Sequence, residues 1–147
     1  MKRIVVWAAA GSALVLATAL VAQAATPAEQ RRDVMKQTGL TMRDSAAFVS
    51  GQSPYDAAKV KTLMGALAGN ATKLKTLYPA GSGADPKTEA APAIWANKAD
   101  FDKRLAEMGA LASAAGKAKT VDEFKPAFQK VSATCKSCHD LYRKKKT

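Results

Sequence analysis

The stretch of sequence that decides the fold spans residues 120–142 and reads TVDEFKPAFQKVSATCKSCHDLY. Thr120 and Glu123 form a capping-box pattern, which predicts that a helix begins here. The apolar residues and both cysteines then recur at heptad spacing: Val121, Phe124, Phe128, Val131, Cys135, Cys138 and Tyr142. Pro126 is the one discordant residue, and we expect it to kink the first turns or to delay the helix start. The stretch predicts a long amphipathic helix whose buried face carries the cysteines.

This predicted helix contains the five-residue motif Cys135-Lys136-Ser137-Cys138-His139. Residues three apart lie on one face of a helix, so two thiols at this spacing can reach both vinyl groups of one porphyrin. The histidine that follows presents its imidazole to the iron. The chain has no other cysteine or histidine. The C-x-x-C-H pattern therefore predicts one covalent haem c, with Cys135 and Cys138 as thioethers and His139 as an axial ligand of the iron.

Other roles for the two cysteines fit the residues less well. Neighbours at i and i+3 on a helix are a poor geometric match for a structural disulfide. A zinc site needs about four ligands, whereas the chain offers two cysteines and one histidine. A redox-active C-x-x-C normally lies in a β-α-β context, and no strand pattern surrounds it here. An exported thiol oxidoreductase without haem stays open as an alternative, and it predicts reactive free thiols.

The N-terminus has the pattern of a secretory signal peptide. A basic start, Met1-Lys2-Arg3, precedes an almost uncharged apolar run over residues 4–21, and the small-residue triplet Ala22-Gln23-Ala24 follows. The run approaches the length of a membrane anchor, but its small residues and the A-x-A site favour cleavage. The sequence predicts a signal peptide over residues 1–24, cleaved after Ala24, and a periplasmic protein.

The chain is strongly basic, with a formal net charge of +11. Removal of residues 1–24 takes away Lys2 and Arg3 and leaves +9, because no acidic residue lies before the cleavage site. Such a charge favours redox partner proteins with acidic surfaces through long-range steering. The sequence shows no aromatic platform among the basic residues and no nucleic-acid motif, so we expect no nucleic-acid partner.

Residues 25–147 predict one domain of four helices. The first helix begins with Thr26, Pro27 and Glu29 in a capping box, and ends at Gly51. Its heptad positions are Arg31, Met35, Thr38, Met42, Ser45 and Val49.

The second helix opens with Ser53-Pro54-Tyr55-Asp56, and the third starts near Pro92 after a Gly/Pro/Ser-rich linker over residues 80–91. Amphipathic helices with mostly short connections predict an all-α fold, an antiparallel four-helix bundle. The haem lies in its core near the C-terminal helix.

A bundle with C-x-x-C-H near the end of its last helix resembles the class II cytochromes c, which comprise the high-spin cytochromes c′ and the low-spin cytochrome c-556 group. The resemblance covers nearly all of the chain after the predicted cleavage site. Three segments carry it: Pro54–Ala58 at the start of the second helix, Pro92–Trp95 at the start of the third, and Thr134–Asp140 followed by Arg143.

The resemblance implies roles for residues of the first helix. Arg31, Met35 and Lys36 match a family pattern of arginine, then methionine or leucine, then lysine. The resemblance places Arg31 near the haem propionates; the alternative is a solvated arginine. It makes Met35 either the second axial ligand of the iron, as in the c-556 group, or a residue that blocks this position, as in cytochromes c′. A third option for Met35 is simple core packing.

The resemblance also implies that Arg143 shields the proximal side of the haem, unless it only caps the helix end. Trp95 and Tyr142 are either haem neighbours or core residues. Many members of the family pair as dimers through their first two helices, which makes a homodimer an option here.

The function that these expectations favour is one-electron transfer by a periplasmic cytochrome. A His/Met iron is closed and has a raised reduction potential, as suits an electron carrier. The alternative is a five-coordinate cytochrome c′ that binds NO or CO at an open site, on a face that we expect to be apolar. The sequence shows no acid–base or nucleophile constellation, so we do not expect an enzyme.

Overall fold

The computed structural model of the chain describes residues 24–145, in which the three longest helices begin at side-chain caps: Thr26, Asp56 and Thr120. The helix bounds are Pro27–Val49 (α1), Ala57–Thr76 (α2), Ala93–Ala96 (α3), Lys98–Ala115 (α4) and Val121–Tyr142 (α5). The predicted signal peptide lies almost wholly outside the described residues. No helix in the described range is long and apolar enough to cross a membrane.

The first helix begins as its sequence predicts. The backbone N–H of Glu29 donates to Thr26 Oγ1 at 3.2 Å, and the N–H of Thr26 donates to Glu29 Oε2 at 2.9 Å. Gly51 follows the helix with a φ of 76°, which a residue without a Cβ adopts at little cost. The position at which α1 begins is therefore set by the hydrogen bonds between Thr26 and Glu29.

The second helix begins three residues later than the predicted Ser53 start. Asp56 is its N-cap, and its Oδ1 accepts from the N–H groups of Ala58 and Lys59 at 2.9 and 3.0 Å. Ser53 instead belongs to the turn that closes α1, because its N–H donates to Ala47 O at 3.1 Å.

The third predicted helix is interrupted after one turn. Asn97 has φ −128° and ψ 46°, outside the helical region, so it ends α3 and acts as the N-cap of α4. Pro126 does not delay α5, which already begins at Val121. Pro126 has no N–H to donate to the carbonyl of Asp122, which lies one turn earlier in the helix, and Asp122 is an exposed residue.

Helices α1, α2, α4 and α5 form the four-helix bundle. Helix α3 is a single turn that directly precedes α4 and belongs to the third predicted helix. Helix α2 packs against α1 and α4, and α4 packs against α5, whereas α1 and α5 make fewer contacts. The fully buried core side chains come mainly from α2 and α5, among them Val60, Leu67, Leu74, Phe124 and Val131. The looser pairing of α1 with α5 leaves space inside the bundle for the site.

Candidate haem-binding site

A cavity of about 510 Å³ lies between α1 and α5, within the size range of small-molecule and cofactor pockets. All six residues that the sequence analysis assigned to the haem line this cavity: Arg31, Met35, Cys135, Cys138, His139 and Arg143. Tyr142 lines it as well, and Ile94, Phe101 and Leu105 give it apolar walls. The fold therefore collects candidate ligands from both ends of the chain around one space.

Helix α5 supplies the wall that carries the two thiols and the imidazole. Burial raises the pKa of both Cys135 and Cys138, so the thiols are protonated at neutral pH. Partial burial and the nearby Arg143 lower the pKa of His139, which keeps its imidazole neutral with a free lone pair. The N–H of Arg143 donates to His139 O at 3.2 Å and closes the last turn of the helix.

These donors fit a covalently bound haem. Both cysteines lie in the described range and neither is in a disulfide, so both sulfurs are available to the vinyl carbons of a porphyrin. A neutral imidazole is a good ligand for iron. A dithiol that works by exchange needs a lowered thiol pKa, whereas burial here raises the pKa of both thiols. The donor set thus favours haem attachment over thiol exchange.

Helix α1 supplies a second wall, on which Met35, Thr38 and Met42 line the cavity. Both methionines are partly buried and pack against the core. The three residues are spaced three and four apart, so they share one face of the helix. The structure thereby brings the thioether of Met35 and the imidazole of His139 to walls of the same cavity.

Arg31 is buried, with 4% of its surface exposed, so its reading as a solvated helix-start residue is wrong. Its Nη1 donates to Leu77 O (2.8 Å) and Ser82 Oγ (2.9 Å), and its Nη2 to Ser82 O and Thr88 Oγ1 (both 2.9 Å). The guanidinium also lies 4.8 Å from the ring centre of Tyr78. Arg31 therefore ties the linker to the end of α2, at the wall of the cavity.

We expect Arg31→Met to lower the free energy of unfolding by roughly 3 kcal/mol, because it leaves several buried acceptors without their charged donor. Arg32→Met is the matched control, since exposed Arg32 makes one 3.2 Å hydrogen bond to Lys87 O. Urea denaturation of both variants measures the difference. Equal stabilities for the two variants would contradict the role of Arg31 as a clamp.

A latch, formed by Glu89 and Ala91 of the linker with Tyr142, Arg143 and Lys144, joins the linker to the end of α5. Arg143 Nε donates to Glu89 Oε2 at 2.7 Å. The N–H of Ala91 donates to Tyr142 O at 2.9 Å, and the N–H of Lys144 to Glu89 O at 2.8 Å. The side-chain pair is exposed and contributes little, so the backbone bonds carry the latch. Arg143 thus has an acidic partner that the sequence analysis missed.

Three cavity residues were missed or left without a role in the sequence analysis. Tyr78 is buried between the bundle and the linker, and burial raises its pKa to about 12. Glu89 lines the cavity and is held there by its hydrogen bonds to Arg143 and Lys144. Thr38 brings a hydroxyl to a wall that we expected to be apolar. Nothing local in the sequence marks any of them, because their partners lie on other elements.

The comparisons with known proteins identify the family to which the chain belongs. The family model described as Cytochrome C′ matches residues 26–143. The chain is 39% identical over 119 residues to a cytochrome c′ of Rhodopseudomonas palustris, covering 80% of this chain and 82% of that protein. It is 38% identical over 120 residues to a cytochrome c-556 of Agrobacterium tumefaciens, covering 80% and 97%.

Among solved structures, cytochrome c′ from Rhodopseudomonas palustris superposes with a TM-score of 0.79 at 37% identity. The match covers 84% of this chain and all of that one. The similarity thus extends over the whole bundle that forms the cavity.

Proposed function

Because the chain belongs to the cytochrome c′ family, we propose that it carries one electron at a time on a haem c held in the cavity between α1 and α5. Cys135 and Cys138 would form the thioether bonds to this haem, and His139 would bind its iron. When bound, the haem supplies the one-electron chemistry. The observation that carries this proposal is that both thiols, the only imidazole and Met35 line one cavity.

The protein's own residues hold the haem. Neutral His139 offers its lone pair to the iron, and Phe101 and Leu105 of α4 supply an apolar wall. Arg31 keeps its positive charge at the cavity wall and has no acidic hydrogen-bond partner among the described residues. A haem propionate is an anion that this positive charge would attract.

Met35 is proposed as the second axial ligand. It lines the cavity on α1, it is only partly buried, and the chain has no second histidine to compete for the iron. A His/Met pair raises the reduction potential and closes the iron to added ligands, as an electron carrier requires.

A second candidate function is reversible binding of NO or CO at an iron that Met35 does not hold. The observation that favours it is that Met35 shares the α1 wall of the cavity with Met42, a second partly buried methionine, so a packing role fits Met35 as well. Under this candidate Met35 is a packing residue on the ligand side of the haem.

An absorption spectrum of the reduced, haem-loaded protein, before and after addition of CO, separates the two functions. We expect sharp low-spin bands that do not change with CO, because Met35 holds the sixth position. Broad high-spin bands that shift with CO would contradict the electron-transfer proposal and support gas binding. A protein without haem bands and with two titratable thiols would overturn both proposals in favour of a thiol oxidoreductase.

The proposal extends to location and partners. We propose export to the periplasm after cleavage following Ala24, and docking to acidic redox proteins that a net charge of +9 would attract. We propose no catalytic residues, since the only histidine is assigned to the iron. A homodimer through α1 and α2 stays a prediction.

A further inference from the structure

Thr38 places a buried hydroxyl in the α1 wall of the haem cavity. Only 7% of its surface is exposed, and it lines the cavity. It follows Met35 by three residues and precedes Met42 by four, so the three side chains share one helix face. The candidate sixth-ligand side of the iron therefore contains a polar group where the sequence analysis expected an apolar surface.

The hydrogen bonds of Thr38 leave its proton unused. Asn70 Nδ2 on α2 donates to Thr38 Oγ1 at 3.2 Å. Helical hydroxyls commonly donate to the carbonyl one turn back, as those of Ser45 and Thr62 do at 2.7 and 3.0 Å. The Thr38 hydroxyl makes no such bond and donates to no acceptor among residues 24–145.

The amide of Asn70 restricts where that proton can point. A hydroxyl oxygen has two lone pairs and one proton, and the amide of Asn70 occupies one lone pair. The O–H bond must then point away from Asn70, and the cavity is the open space that Thr38 borders. A hydroxyl that already accepts a hydrogen bond is also polarised and is a better donor.

We infer that Thr38, positioned by Asn70, is a hydrogen-bond donor to a diatomic ligand bound at the iron on the Met35 side. The inference rests on the proposed haem site and concerns an iron that Met35 does not hold, as in the second candidate function. A ligand such as NO or CO gains negative charge on its outer atom when it binds reduced iron, and a neutral hydroxyl stabilises that charge. Wherever Met35 does not hold the sixth position, Thr38 thereby favours diatomics that accept a hydrogen bond over small apolar molecules.

The test uses the haem-loaded Met35→Ala protein, whose iron is open to CO whichever role Met35 has. Into this background we place Thr38→Val, which keeps the shape and removes the hydroxyl, and Thr38→Ser, which retains it. Thr41→Val is the matched control, since Thr41 is also on α1 but does not line the cavity. The probe is CO bound to the reduced protein, read by its infrared stretching frequency and its dissociation rate.

We expect Thr38→Val to raise the C–O stretching frequency and to speed CO dissociation about fivefold, as the loss of one neutral hydrogen bond implies. Thr38→Ser and Thr41→Val should keep the frequency of the background protein. Identical frequencies in Thr38→Val and Thr41→Val would overturn the inference while the haem bands remain. Absence of haem bands in the background protein would instead refute the proposed haem site.

Discussion

Replacement of both Cys135 and Cys138 by alanine is expected to abolish covalent haem attachment completely. The two thiols are the only thiols in the chain, and both line the cavity that we assign to the haem. His139 remains in the double variant and can still bind iron, so some haem can stay in the cavity without a covalent bond. Acid–acetone extraction should then remove all haem from the variant and none from the wild-type protein.

Ser137→Ala is the matched control for this experiment. Ser137 lies between the two cysteines, is exposed, and donates only to Thr134 O at 3.2 Å. The control should retain its haem through extraction, because the thiols and the imidazole are intact. Haem that resists extraction from the double-alanine variant would disprove the thioether assignment.

Met35→Ala is expected to convert a low-spin haem that ignores CO into a high-spin haem that binds CO stoichiometrically. Alanine has no donor atom, so the iron loses its sixth ligand and the cavity gains room for a small molecule. We also expect the reduction potential to fall, because a thioether ligand raises it. Absorption spectra of the reduced variant with and without CO measure the change.

Met42→Ala controls for the loss of a methionine from the same wall. Met42 lines the cavity two turns further along α1 and is also partly buried. Its replacement should enlarge the cavity and leave the spin state unchanged. A Met35→Ala spectrum identical to that of the wild-type protein would refute coordination by Met35 and favour the open-site function.

The elements that the sequence predicted well are those whose signals are local. The capping box of Thr26 and Glu29 lies within one turn, and the structure shows both of its hydrogen bonds. The heptad pattern of α5 is equally local and correctly predicted one continuous helix through both cysteines. The break at Asn97 was not predicted, since residues 93–115 contain neither glycine nor proline before Gly109.

The sequence predicted the site residues that belong to the C-x-x-C-H motif. It did not predict contacts between side chains on helices or loops that are distant in the sequence. Residues Cys135 to His139 follow from the C-x-x-C-H spacing alone. The burial of Arg31 does not, because its acceptors stand on the end of α2 and the linker, 46 or more residues away. The role of Thr38 depends in the same way on Asn70, which a different helix supplies.

The latch between the linker and the end of α5 also constrains when the bundle can be completed. Its backbone bonds join Glu89 to Lys144 and Ala91 to Tyr142. They pair residues 51 and 55 positions apart in the sequence, so they form only when the linker docks on the end of α5. A chain whose linker has not docked leaves this side of the cavity unsealed, and haem can then enter before the bundle is complete.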